Sequence, residues 1–120
     1  MAFADPTITI SGTGIPLPRT GSGINEGQFT AADGLTKLVV RHTSGNKRVR
    51  HFMRLDNSKI AADPLLAGIN VKASLGAWIV VDAPETGFVV ADQKAVVDGF
   101  LAYLTASSGA RITQLLGGEN

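Results

Sequence analysis

The chain has 120 residues, 44% hydrophobic and 18% charged, with 14 Gly, 5 Pro and no Cys. This suits one compact domain, is neither disordered nor collagen-like, and excludes a disulfide scaffold, a thiolate zinc site and a cysteine nucleophile. The net charge is only +1, yet Lys37 to Arg54 holds six basic residues (Lys37, Arg41, Lys47, Arg48, Arg50, Arg54) and no acid, while the rest carries ten acids against five bases.

Thr7–Ile10 and Ile15–Arg19 are short β-prone runs separated by Ser11-Gly12-Thr13-Gly14, which reads as a hairpin. Pro16 and Pro18 cannot donate ladder hydrogen bonds, so the second arm belongs at a sheet edge or off the main sheet. Residues 20–27 read as loop, followed by a short strand over 28–32 closed by Asp33-Gly34. Apolar runs such as Leu38–Val40 and Ala77–Val81 are far shorter than the roughly 20 residues of a membrane-spanning helix. The opening Met-Ala-Phe-Ala-Asp-Pro has no basic region followed by an apolar one, so no signal peptide is expected.

The clearest pattern is Thr36–Thr43, a turn over 44–47, and Arg48–Asp56. Both arms alternate, and a four-residue turn would set Arg41 opposite Arg50, Val39 opposite Phe52 and Lys37 opposite Arg54. One face then holds Leu38, Val40, His42, Val49, His51, Met53 and Leu55, and the other is a basic ladder enclosing Val39 and Phe52. Like charges directly opposed destabilise a strand pair unless an anion neutralises them. Arginine forks match phosphate geometry, and Phe52 and Trp78 on the same side supply stacking surfaces for unpaired bases. If six phosphates were neutralised, affinity would fall about 10³-fold between 50 and 200 mM salt.

Asn57–Ile69 contains Asp63-Pro64 and Gly68 and reads as a long loop. Asn70–Asp82 is again a strand, with Lys72, Ser74, Gly76, Trp78 and Val80 on one face. The period becomes helical from about Asp92 to Ala106, with Val97, Phe100, Leu101 and Leu104 in one stripe. Ser107-Ser108-Gly109 stops this helix, and Ser108 is placed to cap a second over Ala110–Leu116, ended by Gly117-Gly118.

Strands first and helices last give an α+β architecture rather than a doubly wound one. So little helix is thin cover for a sheet of about five strands, which points to a second copy supplying the rest. His42 and His51 lie on the apolar face without the third ligand a metal needs, and read as packed structural histidines. Gly12-Thr13-Gly14 and Gly21-Ser22-Gly23 read as turn residues, since Ile15-Pro16-Leu17-Pro18 cannot open a helix below a phosphate loop. Asp82, Glu85, Asp92 and Asp98 read as solvated surface, and no nucleophile elbow is present.

This order of parts resembles the coat proteins of single-stranded RNA bacteriophages, the levivirus type. The resemblance rests on the N-terminal hairpin, the meander with a basic face, Arg48-Val49-Arg50-His51, the Asn57-Ser58-Lys59 to Asp63-Pro64 loop, a strand ending in Val80-Val81-Asp82-Ala83-Pro84, and the Gln114-Leu115-Leu116-Gly117-Gly118-Glu119 tail. It implies a single coat domain: hairpin and loop over 1–27, sheet over 28–83, helices over 91–118. Two C-terminal helices would pack on one sheet face in an intertwined dimer, and dimers would build an icosahedral T=3 shell. The 57–69 loop would meet its copies around the symmetry axes, and the bare sheet face would line the interior against the genome.

The resemblance further implies a non-enzymatic virion component assembled in the bacterial host cytoplasm, without cofactor or metal. Its partners would be itself, single-stranded genomic RNA and a maturation protein, with a genomic hairpin bound to repress replicase translation. Where the best-known members hold an unpaired adenine with hydroxyl residues and a lysine, this chain shows Val39, Arg41, Arg50 and Phe52, so the adenine pocket is not carried over. The RNA contacts expected by face and chemistry are Lys37, Arg41, Thr43, Arg48, Arg50, Arg54, Lys72 and Trp78. Two readings compete: a small dimeric cellular RNA-binding module that does not assemble, and a small hydrolase using His42 or His51.

Overall fold

The computed structural model describes residues 3–62, 65, 68 and 70–119. The chain forms two compact units that divide after Asp82.

The first unit opens with a hairpin of β1 (Thr7–Ile10) and β2 (Thr13–Pro16), which forms a two-stranded sheet of its own. Ser11 and Gly12 make the turn with φ of 52° and 79°, the mirror-image backbone that suits the twist of a two-residue hairpin. Ile8 faces Ile15 across it. As the two prolines require, the hairpin stays off the main sheet, and the chain leaves through Leu17, whose N–H donates to the Pro6 carbonyl at 2.9 Å.

The main sheet has the order β3-β4-β5-β6-β7: Arg19–Gly23, Glu26–Thr30, Thr36–Gly45, Arg48–Ala62 and Asn70–Pro84. Pairing from β3 through β6 is antiparallel. An antiparallel sheet of five strands beside an N-terminal hairpin is the architecture expected from the sequence. Residues 20–27, read as loop, instead make most of the β3–β4 hairpin. Gly21-Ser22-Gly23 shows no apolar alternation because backbone bonds rather than side chains hold it. At Gly27 a Cβ would lie 3.2 Å from Arg19 Nη1, and that guanidinium lies over the Phe29 ring, 4.7 Å from its centre.

Asp33-Gly34 closes the β4–β5 hairpin as expected: the Asp33 carboxylate accepts from the Leu35 N–H at 2.9 Å, and Gly34 has φ of 72°. The first part of the expected 57–69 loop, residues 57–62, is strand, because β6 runs on to Ala62; β7 begins at Asn70, as the strand expected there does. Backbone pairing carries the strand on: Thr36 pairs with Asn57, its hydroxyl 3.3 Å from Asn57 Oδ1, and the Ser58 N–H donates to the Leu35 carbonyl at 2.7 Å. Gly68 has φ of 82°; Asp63-Pro64 and Ile69 lie outside the described residues.

The core of this unit is Leu17, Phe29, Ala31, Leu38 and Val40, flanked by Ile8, Ile15, Met53 and Leu55. It sits on the apolar face that alternation marked out: Phe29 opposes Leu38, Leu38 opposes Leu55 and Val40 opposes Met53. Burial of each large side chain contributes about 1.5–3 kcal/mol. His42 and His51 do face each other, with their Nδ1 atoms 2.8 Å apart. They are not packed in the core, however: His42 is exposed and His51 half-buried.

The second unit holds one helix, α1 (Val90–Leu116), where the sequence suggested two. The break falls where expected, but as a kink inside one element. Ala106 has ψ of 149°, and Ser107, Ser108 and Gly109 pass through a left-handed turn with φ of 54°, 59° and 79°. Ser108 therefore does not take the extended backbone of an N-cap, and the four non-helical residues Ala106 to Gly109 join the two helical arms. Asp92 lies in the first turn, where the helix dipole favours an acid. Lys94 pairs with Asp98 one turn on. At the other end the Gly117 N–H returns to the Thr113 carbonyl at 3.0 Å. No residue of α1 is buried, and Val96, Phe100, Tyr103, Leu115 and Leu116 are exposed.

Candidate nucleic-acid interface

The sheet face opposite the core carries the charged side chains. Lys37, Val39, Arg41 and Thr43 of β5 and Arg48, Arg50, Phe52, Arg54 and Asp56 of β6 share it by strand alternation. The observed register differs from the expected one by two residues. Arg41 opposes Phe52, Thr43 opposes Arg50, Val39 opposes Arg54 and Lys37 opposes Asp56. The cause is the turn: Asn46 and Lys47 alone form it, with φ of 46° and 64°, so Ser44 and Gly45 join the ladder opposite Val49 and Arg48. A shift of two leaves every side chain on its expected face. It does remove the directly opposed like charges: Arg41 does not face Arg50, nor Lys37 Arg54.

Carboxylates stand among the cations instead. Glu26, directly opposite Arg41 on β4, lies 3.8 Å from its Nε. Arg54 Nε donates to Asp56 Oδ1 at 2.8 Å. Arg48 Nε donates to Asp82 Oδ1 at 3.0 Å, and Arg50 Nη2 lies 3.8 Å from Asp82 Oδ2. All four arginines of the face thus have an acidic partner, while Lys37 and Lys72 make no ion pair among the described residues. Sequence reasoning missed Glu26 because its stretch read as loop. Asp56 and Asp82 could have been found, since each shares the strand parity of the side chain it engages.

Contacts fix the orientation of β7. The Arg54 guanidinium lies over Trp78, 5.0 Å from the ring centre. A Cβ at Gly76 would come within 3.0 Å of Asp56 Oδ1 and 3.2 Å of Arg54 Nη2, so glycine lets this cluster close up. Gly76, Trp78 and Asp82 therefore share the charged face, and alternation adds exposed Lys72. Val39 is buried on this face, an apolar floor beneath the long side chains. Trp78 remains 56% exposed, an indole open to a planar partner. Toward the hairpin tip, Thr43, Ser44, Gly45, Arg48, Arg50 and Asp82 line an open cleft of about 280 Å³.

The site residues expected from the sequence thus converge on one face, with Arg54 stacked on Trp78 and Thr43 directly opposite Arg50. Guanidinium forks can take phosphate oxygens two at a time, and an exposed indole can stack on a base. Among the described residues no group of three His, Asp or Glu is placed to hold a metal ion.

A twisted antiparallel sheet with one charged face, an off-sheet N-terminal hairpin and a C-terminal helix is the fold of the RNA-bacteriophage coat subunit. The chain superposes over its whole length on a subunit from the virus-like particle of bacteriophage AVE019, with a TM-score of 0.83, 13% identity and 98% of that chain covered. The bacteriophage GA capsid protein matches with a TM-score of 0.62 and 13% identity, over 92% of this chain and 88% of that one. A structure described as an unassembled virus coat protein dimer, a bacteriophage RNA-binding dimer, matches with a TM-score of 0.59 and 12% identity, over 97% and 94% of the two chains. No family model and no curated protein matches the sequence.

Proposed function

We infer that this chain is the coat protein of a single-stranded RNA bacteriophage: a non-enzymatic subunit that dimerises, assembles into a T=3-like shell and holds the genome against its charged sheet face. The observation carrying this reading is fold identity over the full length of a subunit from a virus-like particle, with almost none of either chain left over. Two features agree with it. Phe100, Tyr103 and Leu115 of α1 are more than half exposed, apolar surface of the kind a second copy covers. The charged face clusters arginines with an exposed indole, the chemistry that backbone and unpaired bases of RNA require.

RNA contacts fall to Lys37, Arg41, Thr43, Arg48, Arg50, Arg54, Lys72 and Trp78. Binding of a genomic hairpin, and through it repression of replicase translation, belongs to the same reading, as do a maturation protein as partner and assembly in the host cytoplasm. Weak contacts between dimers suffice, because closed symmetry repeats each of them many times.

The test is expression of the full chain, size exclusion, and negative-stain microscopy with the 260/280 nm absorbance ratio of each peak. Uniform spheres near the void volume with a nucleic-acid ratio are expected. A dimer that forms no particles even with RNA at low salt would favour the non-assembling RNA-binding module.

A further inference from the structure

Asp82 is placed differently from the other acids of the charged face. Its two carboxylate oxygens engage two different arginines: Oδ1 accepts from Arg48 Nε at 3.0 Å, and Oδ2 lies 3.8 Å from Arg50 Nη2. Its backbone carbonyl also accepts from Arg48 Nη2 at 3.2 Å. These are the first two arginines after the hairpin turn, two residues apart and so on one side of the strand. The side chains of Arg48, Arg50 and Asp82 are 53%, 62% and 40% exposed and line the same cleft with Thr43 and Ser44. A carboxylate and a phosphate offer a guanidinium the same pair of anionic oxygens. In an open cleft the exchange of one for the other needs no rearrangement of the sheet.

We propose that Asp82 is a built-in competitor for RNA phosphate: in the free protein its carboxylate holds Arg48 and Arg50, and a backbone phosphate entering the cleft displaces it. This rests on the reading of the charged face as the RNA surface. Asp82 lowers affinity for any single phosphate at this end and cancels one of the counterion charges that binding would otherwise release. Loose, non-specific RNA is thereby held less tightly, and an RNA that presents phosphates to both arginines together is favoured. Arg48 keeps its place after displacement, because its bond to the Asp82 carbonyl does not depend on the carboxylate.

The test is binding of a labelled oligouridylate to the purified full chain, followed by fluorescence anisotropy across a salt series, for wild type, Asp82→Asn, Asp82→Ala and Arg50→Ala. The two Asp82 variants should bind on the order of fivefold to tenfold more tightly at low salt, with a log–log salt slope steeper by about 0.7. Two Asp82 variants guard against one failing to fold, which elution position reports. Unchanged or weaker binding by the Asp82 variants, with Arg50→Ala weakened, would overturn the proposal and make Asp82 a positioning residue. If Arg50→Ala also binds as wild type does, with no salt dependence in any variant, the RNA-face reading itself fails and the proposal falls with it.

Discussion

The guanidinium of Arg54 bridges two neighbours at once: it lies over the ring of Trp78, 5.0 Å from its centre, while its Nε donates to Asp56 at 2.8 Å. Asp56 thereby fixes the fork, and the fork fixes one face of the indole. Trp78→Ala should weaken binding of single-stranded RNA by about 1–3 kcal/mol, the loss of one base stack. Trp78→Phe should recover part of that, and both should leave the salt slope unchanged because no phosphate contact is lost. Filter binding at two salt concentrations checks this. A changed slope with unchanged low-salt affinity would assign Trp78 to the fold rather than to RNA.

Gly76 sets how close this cluster comes. An added methyl would meet Asp56 Oδ1 at 3.0 Å and Arg54 Nη2 at 3.2 Å, both ends of side chains that can shift. Gly76→Ala should therefore fold normally yet move the Arg54 fork relative to the indole, changing the Trp78 fluorescence maximum with little change in melting temperature. The chain has one Trp, so the emission reports this site alone.

Phe29 is 1% exposed at the centre of the core. Phe29→Ala should cost about 3–5 kcal/mol, a large share of the 5–15 kcal/mol that holds a domain of this kind together. Chemical denaturation of the unassembled protein would show it as a lower midpoint with an unchanged slope.

What the sequence made legible follows from which interactions leave a periodic trace. Alternation in Thr36–Thr43 and Arg48–Asp56 reported the two faces correctly, since side-chain parity depends on burial alone. It could not report the register, because a turn of two residues and one of four place the same residues on the same faces. Only the left-handed backbone of Asn46 and Lys47 distinguishes them, and a lysine there gives no warning. The β3 strand was invisible for a related reason: Gly21 and Gly23 have no side chains to alternate. The kink in α1 was legible as a break at Ser107-Ser108-Gly109 but not as a left-handed turn, which two serines disfavour and tertiary context must hold.

That turn gives a further prediction. Lys47 sits at φ of 64° in the second position of a two-residue hairpin, where glycine after asparagine is preferred. Lys47→Gly should raise stability by up to about 1 kcal/mol, the left-handed cost for a side chain less the extra freedom glycine has when unfolded. A higher melting temperature checks it; a lower one would show that Lys47 makes a stabilising contact in the assembled state.

The carboxylates of the charged face revise what salt should do to RNA binding. Lys37, Arg41, Arg48, Arg50, Arg54 and Lys72 are offset by Glu26, Asp56 and Asp82, which leaves an excess of three positive charges. Single strands release about 0.7 counterions per phosphate neutralised, so three give a slope near −2 and a loss of roughly 20-fold between 50 and 200 mM salt. A bare ladder of six cations would instead give a slope near −4 and lose about 300-fold. Arg41→Ala leaves Glu26 without its partner and should flatten the slope by about one unit, whereas Glu26→Gln should steepen it by a similar amount. A titration series on wild type separates the two regimes directly. A loss of about 300-fold would mean that the ion pairs open entirely when RNA binds.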